Sequence, residues 1–122
     1  MDTNKKILLA EDDTLLRKAI AHFLTGHNFT VIQAADGHEA EDAVKTATFD
    51  LIITDLNMPF KGGMEIIQLV HSEMKLSTPI IVLTVSGVEK VELESLASGA
   101  SEFIAKPFSL AILKARIDKL LK

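Results

Sequence analysis

The chain has 122 residues, enough for one ordinary domain and too few for two, and its 48% hydrophobic content allows a buried core rather than a disordered segment. Thirteen Lys and Arg against 17 Asp and Glu give a net charge of −4, a poor match to a nucleic-acid backbone. The absence of cysteine excludes disulfides, a thiol nucleophile and a thiolate zinc site.

Residues Met1 to Lys6 lead into only four apolar residues, Ile7-Leu8-Leu9-Ala10, before Glu11. That run is too short for the core of a secretory signal, and no run approaches the ~20 residues of a membrane span. These features fit a cytoplasmic protein. Ile7–Ala10 reads instead as a first strand. Leu15, Leu16, Ala19, Ile20, Phe23 and Leu24 follow at helical spacing, with Gly26 placed to stop the helix.

Val31-Ile32, flanked by Thr30 and Gln33, reads as an outer strand, and an Asp36-Gly37 turn precedes a second helix from about His38 to Thr46. Leu51-Ile52-Ile53 is a third strand. After Gly62-Gly63, a third helix carries Met64, Ile67, Val70 and Met74 on one face. Ile80-Ile81-Val82-Leu83 is a fourth strand, followed by a helix holding Val88, Val91 and Leu96 and ended by Gly99. Phe103-Ile104 is a fifth strand. Ser109 is a plausible N-cap for a last helix striped by Leu110, Leu113, Ile117 and Leu120. Five βα units imply an α/β fold with a parallel sheet covered on both faces.

In such sheets, sites form beyond the carboxyl ends of the strands. Glu11, Asp12 and Asp13 follow the first run, Asp55 the third, Thr84 the fourth and Lys106-Pro107 the fifth. Singly, each has a plain structural explanation: acidic residues cap helices, an Asp after a strand sits in a turn, and Lys-Pro marks a loop. Asp13 is read in that way, as a cap. Together they are harder to dismiss. Clustered carboxylates raise one another's pKa, a cost that a cation relieves.

Oxygen ligands with water suit Mg²⁺ or Mn²⁺. His22, His27, His38 and His71 are scattered, without metal-ligand spacing. An aspartate can accept a phosphoryl group as an acyl phosphate, with a divalent ion, a lysine and a hydroxyl to balance charge on the phosphoryl oxygens. All of those side chains are present.

The ordered motifs Ile7-Leu8-Leu9-Ala10-Glu11-Asp12-Asp13, Asp55-Leu56-Asn57-Met58-Pro59 with Gly62-Gly63, Ile81-Val82-Leu83-Thr84, Gly99-Ala100 and Phe103-Ile104-Ala105-Lys106-Pro107-Phe108 resemble the receiver domain of bacterial two-component response regulators, of the chemotaxis CheY type. The likeness runs from Lys6 to Leu121. It implies a doubly wound, flavodoxin-like (βα)5 sandwich of strand order 2-1-3-4-5. It assigns Asp55 as phosphoacceptor, Asp12 as a direct Mg²⁺ ligand, Glu11 as a ligand through water and Asn57 as a ligand through its backbone carbonyl. Thr84 becomes the switch hydroxyl, Phe103 the switch ring, and Lys106 the phosphoryl-pairing lysine. Pro107 matches a proline usually preceded by a cis peptide.

Three departures stand out. Val85 replaces a smaller residue after Thr84, Phe103 replaces a frequent tyrosine, and Ser101-Glu102 stands where paired acids are common.

The resemblance implies a signalling module, not an enzyme with a separate substrate: it catalyses only its own phosphorylation and dephosphorylation. Its partners are a histidine kinase or phosphotransfer protein and a downstream protein or second copy. The latter meet the face of the fourth helix, fifth strand and fifth helix, with Val88, Val91, Glu92, Lys114 and Asp118. Neither membrane nor direct nucleic-acid binding is expected.

An Asp-nucleophile phosphohydrolase of the haloacid dehalogenase type is disfavoured, because its second Asp would fall at Asn57. A scaffold that is never phosphorylated is disfavoured by the intact Asp55 and Lys106. Leu113-Lys114-Ala115-Arg116-Ile117 resembles the last helix of receivers joined to winged-helix output domains. A receiver fragment of a DNA-binding regulator or a hybrid histidine kinase is therefore the alternative to a stand-alone regulator.

Overall fold

Five short strands rich in Ile and Leu form one parallel sheet, ordered β2-β1-β3-β4-β5, in the computed structural model. They are β1 (Lys6–Ala10), β2 (Thr30–Ala34), β3 (Leu51–Asp55), β4 (Ile80–Thr84) and β5 (Glu102–Ala105). The structure describes residues 4–85, 97 and 99–122. The fourth helix predicted from Val88, Val91 and Leu96 lies outside the described residues, as does Glu92.

Strand alternation splits the core into two layers. Ile7, Leu9, Leu51, Ile53, Ile81, Leu83 and Ile104 face helix α1 (Thr14–Gly26) and the C-terminal helix (Leu110–Leu121), meeting Ile20, Leu24, Leu113 and Ile117. Leu8, Ala10, Ile52, Ile80 and Val82 face α2 (Gly37–Thr46) and α3 (Gly63–Ile67), meeting Ala40, Val44, Ile66 and Ile67. β1, β3 and β4 are buried along nearly their whole length, whereas Ile32 on β2 is 39% exposed, as an edge strand allows.

Helix starts follow the expected chemistry. Asp13 accepts from the Leu16 N–H at 3.1 Å, Asp36 from Glu39 at 2.9 Å and Ser109 from Ile112 at 3.0 Å. Two ends differ from expectation. Gly26 stays helical and the left-handed residue is Asn28 (φ 71°), whose short polar side chain tolerates that conformation. α3 gives way after Ile67 to a π-helical stretch, Gln68–Glu73, in which Met74 N–H reaches back to Leu69 at 2.8 Å. The wider turn buries Leu69 and Val70 together, while the expected stripe holds: Ile67 and Val70 are buried and Met64 and Met74 pack partly buried against the same layer.

Candidate functional site

The same alternation that buries Ile7 and Leu9, Leu51 and Ile53, and Ile104 continues to Glu11, Asp55 and Lys106. Their side chains meet just past the strand ends. Lys106 Nζ lies 2.8 Å from Glu11 Oε1 and 2.8 Å from Asp55 Oδ1. Glu11 is fully buried and Asp55 is 6% exposed. Asp12 is exposed, and carboxylate oxygens of Glu11, Asp12 and Asp55 all lie within 4.8 Å of one another.

Three carboxylates face one ammonium. Burial, reinforced by Glu11 and only partly offset by Lys106, pushes the Asp55 pKa from 3.8 up to about 7. Burial works against the charge on Lys106, but its bonds to Asp55 and Glu11 prevail and its pKa is raised. Glu11 Oε2 accepts from the Asp13 N–H at 3.1 Å, while buried Oε1 has the nearby ammonium but accepts no well-directed hydrogen bond. Crowded, under-satisfied hard oxygens fit a divalent cation such as Mg²⁺ or Mn²⁺.

Glycines shape the loop after Asp55. A Cβ on Gly62 would stand 2.3 Å from the Leu56 carbonyl oxygen, and the Gly63 N–H donates to that oxygen at 2.9 Å. Glu65 accepts from the Gly62 N–H at 2.9 Å. The start of α3 thus folds back onto the strand end that carries Asp55. Gly37 passes so close that a Cβ would sit 1.9 Å from the Lys61 carbonyl oxygen, and its N–H donates to Pro59 at 3.1 Å. The Asp55 loop is thereby pinned to the start of α2. Asn57 lies exposed in this loop.

Thr84 is 3% exposed at the end of β4. Val82 pairs with Phe103 and Thr84 with Ala105, and alternation puts Thr84 on the same sheet face as Val82 and half-buried Phe103. Thr84 and Phe103 are thus diagonal neighbours, and Thr84 ends the strand next to the one that carries Asp55. The Lys106–Pro107 peptide is cis, as the motif implied. Beside Lys106 opens a cavity of about 470 Å³ walled by Leu16, Val85, Pro107 and Phe108. Val85 is 75% exposed.

Sequence reasoning missed Arg17. Its guanidinium donates to the Glu11 carbonyl at 2.9 Å and to Gln33 at 3.2 Å, bracing the turn that carries Glu11 and Asp12. The only signal was an arginine one helical turn past the acids. It also missed the Gly37 contact, because a DG pair reads locally as a turn.

The family model for the response regulator receiver domain matches residues 7–118. The chain belongs to the response regulator receiver domain family. The regulatory protein VirG of Agrobacterium tumefaciens is 37% identical over 93% of the chain and 42% of that protein. Chemotaxis protein CheY-3 of Vibrio cholerae is 30% identical over 98% of the chain and 94% of that protein. The structure of the response regulator TrrA of Thermotoga maritima, solved with Mg²⁺ and BeF, superposes with a TM-score of 0.85 at 30% identity, covering 96% of this chain and 99% of that one.

The receiver spans about half the length of most curated relatives it matches, such as 52% of the response regulator RR06 of Streptococcus pneumoniae. Receiver domains are phosphoacceptors of two-component systems, bind Mg²⁺ at an acidic site and interact with histidine kinases or phosphotransfer proteins. Among the described residues no helix is long and apolar enough to cross a membrane.

Proposed function

We propose that this receiver accepts a phosphoryl group on Asp55 and relays that event through Thr84 and Phe103. The observation carrying the reading is the Asp55 carboxylate, held at the β3 end 2.8 Å from Lys106 and clustered with Glu11 and Asp12. The donor is the phosphohistidine of a histidine kinase or phosphotransfer protein. The N–P bond breaks with its electron pair returning to the imidazole nitrogen, while a carboxylate oxygen of Asp55 forms the new O–P bond. Lys106 is placed to pair with a phosphoryl oxygen as charge develops.

Asp12 and Asp55 would hold the divalent ion directly, with Glu11 through water and Asn57 through its backbone carbonyl. The bound ion supplies neutralisation of phosphoryl charge. The TrrA structure, holding Mg²⁺ and BeF, is a precedent in a relative. The Thr84 hydroxyl then donates to a phosphoryl oxygen, and the Phe103 ring turns into the space released. That movement alters the face of β5 and the C-terminal helix, where Lys114 pairs with Asp118 at 2.6 Å.

A downstream protein or a second copy reads the altered face. The receiver works in the cytoplasm and acts on no substrate but its own Asp55. The coverage of relatives favours a second reading of the setting alone, in which this receiver is part of a longer DNA-binding regulator or hybrid kinase.

Acetyl phosphate with Mg²⁺ tests the chemistry. Labelling of the wild type that is lost in Asp55→Asn, and lost on chelation, is the expected result. Labelling of Asp55→Asn at the wild-type rate overturns the assignment.

A further inference from the structure

Phe60 sits in the loop after Asp55 with φ 73°, a conformation that bulky L-residues rarely adopt. The Lys61 N–H donates across it to the Pro59 carbonyl at 2.9 Å. That bond and that φ describe a γ-turn of the rare, strained hand centred on an aromatic residue. The same Pro59 carbonyl accepts from Gly37 at 3.1 Å, so the turn is held from two sides. Strain of this kind persists only where the surroundings enforce it, and it concentrates at functional sites.

Nothing in the core repays it. The Phe60 side chain is 78% exposed, and its ring lies 6.0 Å, centroid to centroid, from that of His38. A glycine there would be free of strain and would leave no apolar ring in water. Among the described residues two other large apolar side chains are similarly exposed: Leu15, one residue into α1, is 82% exposed, and Val85, just past β4, is 75% exposed. All three stand on segments that leave the same sheet edge as Glu11, Asp55 and Thr84. They make an apolar rim around a charged centre. Any protein that brings a phosphorylated side chain to Asp55, itself 6% exposed, must cover that rim.

We propose that Phe60 is the apolar anchor on which the phosphohistidine-bearing donor protein seats. Leu15 and Val85 complete the contact, and the strained turn holds the ring outward. The inference rests on Asp55 being the phosphoacceptor. It adds a residue that recognises the donor protein without touching the transferred group. Aromatic side chains suit this role because they bury much area at little entropic cost.

The test compares two donors on the full chain. Acetyl phosphate needs no protein contact. The second donor is whichever purified, phosphorylated histidine kinase or phosphotransfer protein of the source genome labels the wild type fastest. For Phe60→Gly, the acetyl phosphate rate should stay within twofold, transfer from the protein donor should fall at least tenfold, and the melting temperature should hold or rise. Phe60→Leu should recover most of the protein-donor rate. Equal protein-donor rates in wild type and Phe60→Gly overturn the proposal. So does failure of every protein donor to label a wild type that acetyl phosphate labels. Failure of acetyl phosphate to label wild-type Asp55 would instead tell against the acceptor assignment.

Discussion

Replacing Asp55 by Asn in the metal-free protein should abolish the pH dependence that this carboxylate imposes on stability. The folded-state pKa of Asp55 is raised from 3.8 to about 7, so the native state binds its proton more tightly than the unfolded chain. The stability this group contributes is complete below about pH 3.8 and is lost as pH rises through about 7. At 1.36 kcal/mol per pKa unit the full rise corresponds to a ceiling of about 4 kcal/mol.

Asp12 beside it is exposed, so water reaches the edge of the cluster and screens part of the charge. Roughly half the ceiling, about 2 kcal/mol, is the expected effect. For a chain of this size that corresponds to a melting shift of about 8 °C. The assay is denaturant unfolding of wild type and Asp55→Asn in chelator from pH 4.5 to 8. Groups away from the cluster titrate alike in both proteins and cancel. The variant should gain about 2 kcal/mol relative to wild type across this range, with the gain levelling off near pH 8. Adding Mg²⁺ at pH 8 should stabilise wild type but hardly Asp55→Asn. A difference that stays flat, or that favours wild type as pH rises, would refute the electrostatic account of the cluster.

Asp12→Ala should weaken Mg²⁺ binding at least tenfold in calorimetric titration with little effect on the apo melt, whereas Asp13→Ala should cost about 1 kcal/mol through loss of the α1 cap and leave Mg²⁺ affinity nearly unchanged. Gly37→Ala should destabilise by about 2–3 kcal/mol in thermal unfolding, because the new Cβ would meet the Lys61 backbone at 1.9 Å. In Thr84→Ala, beryllofluoride should still bind at Asp55, but NMR shifts at Phe103 and Lys114 should be much smaller than in wild type. Undiminished shifts there would mean that the coupling runs by another route.

The strands were legible because β1, β3 and β4 are buried on both faces and therefore read as unbroken apolar runs. The acidic site was legible because period-2 alternation carries Glu11, Asp55 and Lys106 past the ends of those runs onto one face. What escaped the sequence depends on contacts between distant segments. The closeness of Gly37 to Lys61 is a tertiary approach of α2 to the Asp55 loop, and no local pattern encodes it. The π-helical turn after Ile67 also brings Leu69 into the core beside Val70, a residue that a stripe of Met64, Ile67, Val70 and Met74 at a 3.6-residue period leaves out. No local pattern marks Phe60, whose positive φ goes with the bonds from Lys61 and Gly37 to Pro59.

Chemical mapping of the phosphorylated residue tests the central claim most directly. The protein is labelled with acetyl phosphate and Mg²⁺, the acyl phosphate is reduced with borohydride, and the digest is sequenced by mass spectrometry. Reduction converts a phosphorylated aspartate to homoserine and leaves free carboxylates untouched. The expected result is homoserine at position 55 alone, absent when Mg²⁺ is chelated. Homoserine at position 12 or 13 instead, or labelling that survives reduction unchanged, would contradict the account.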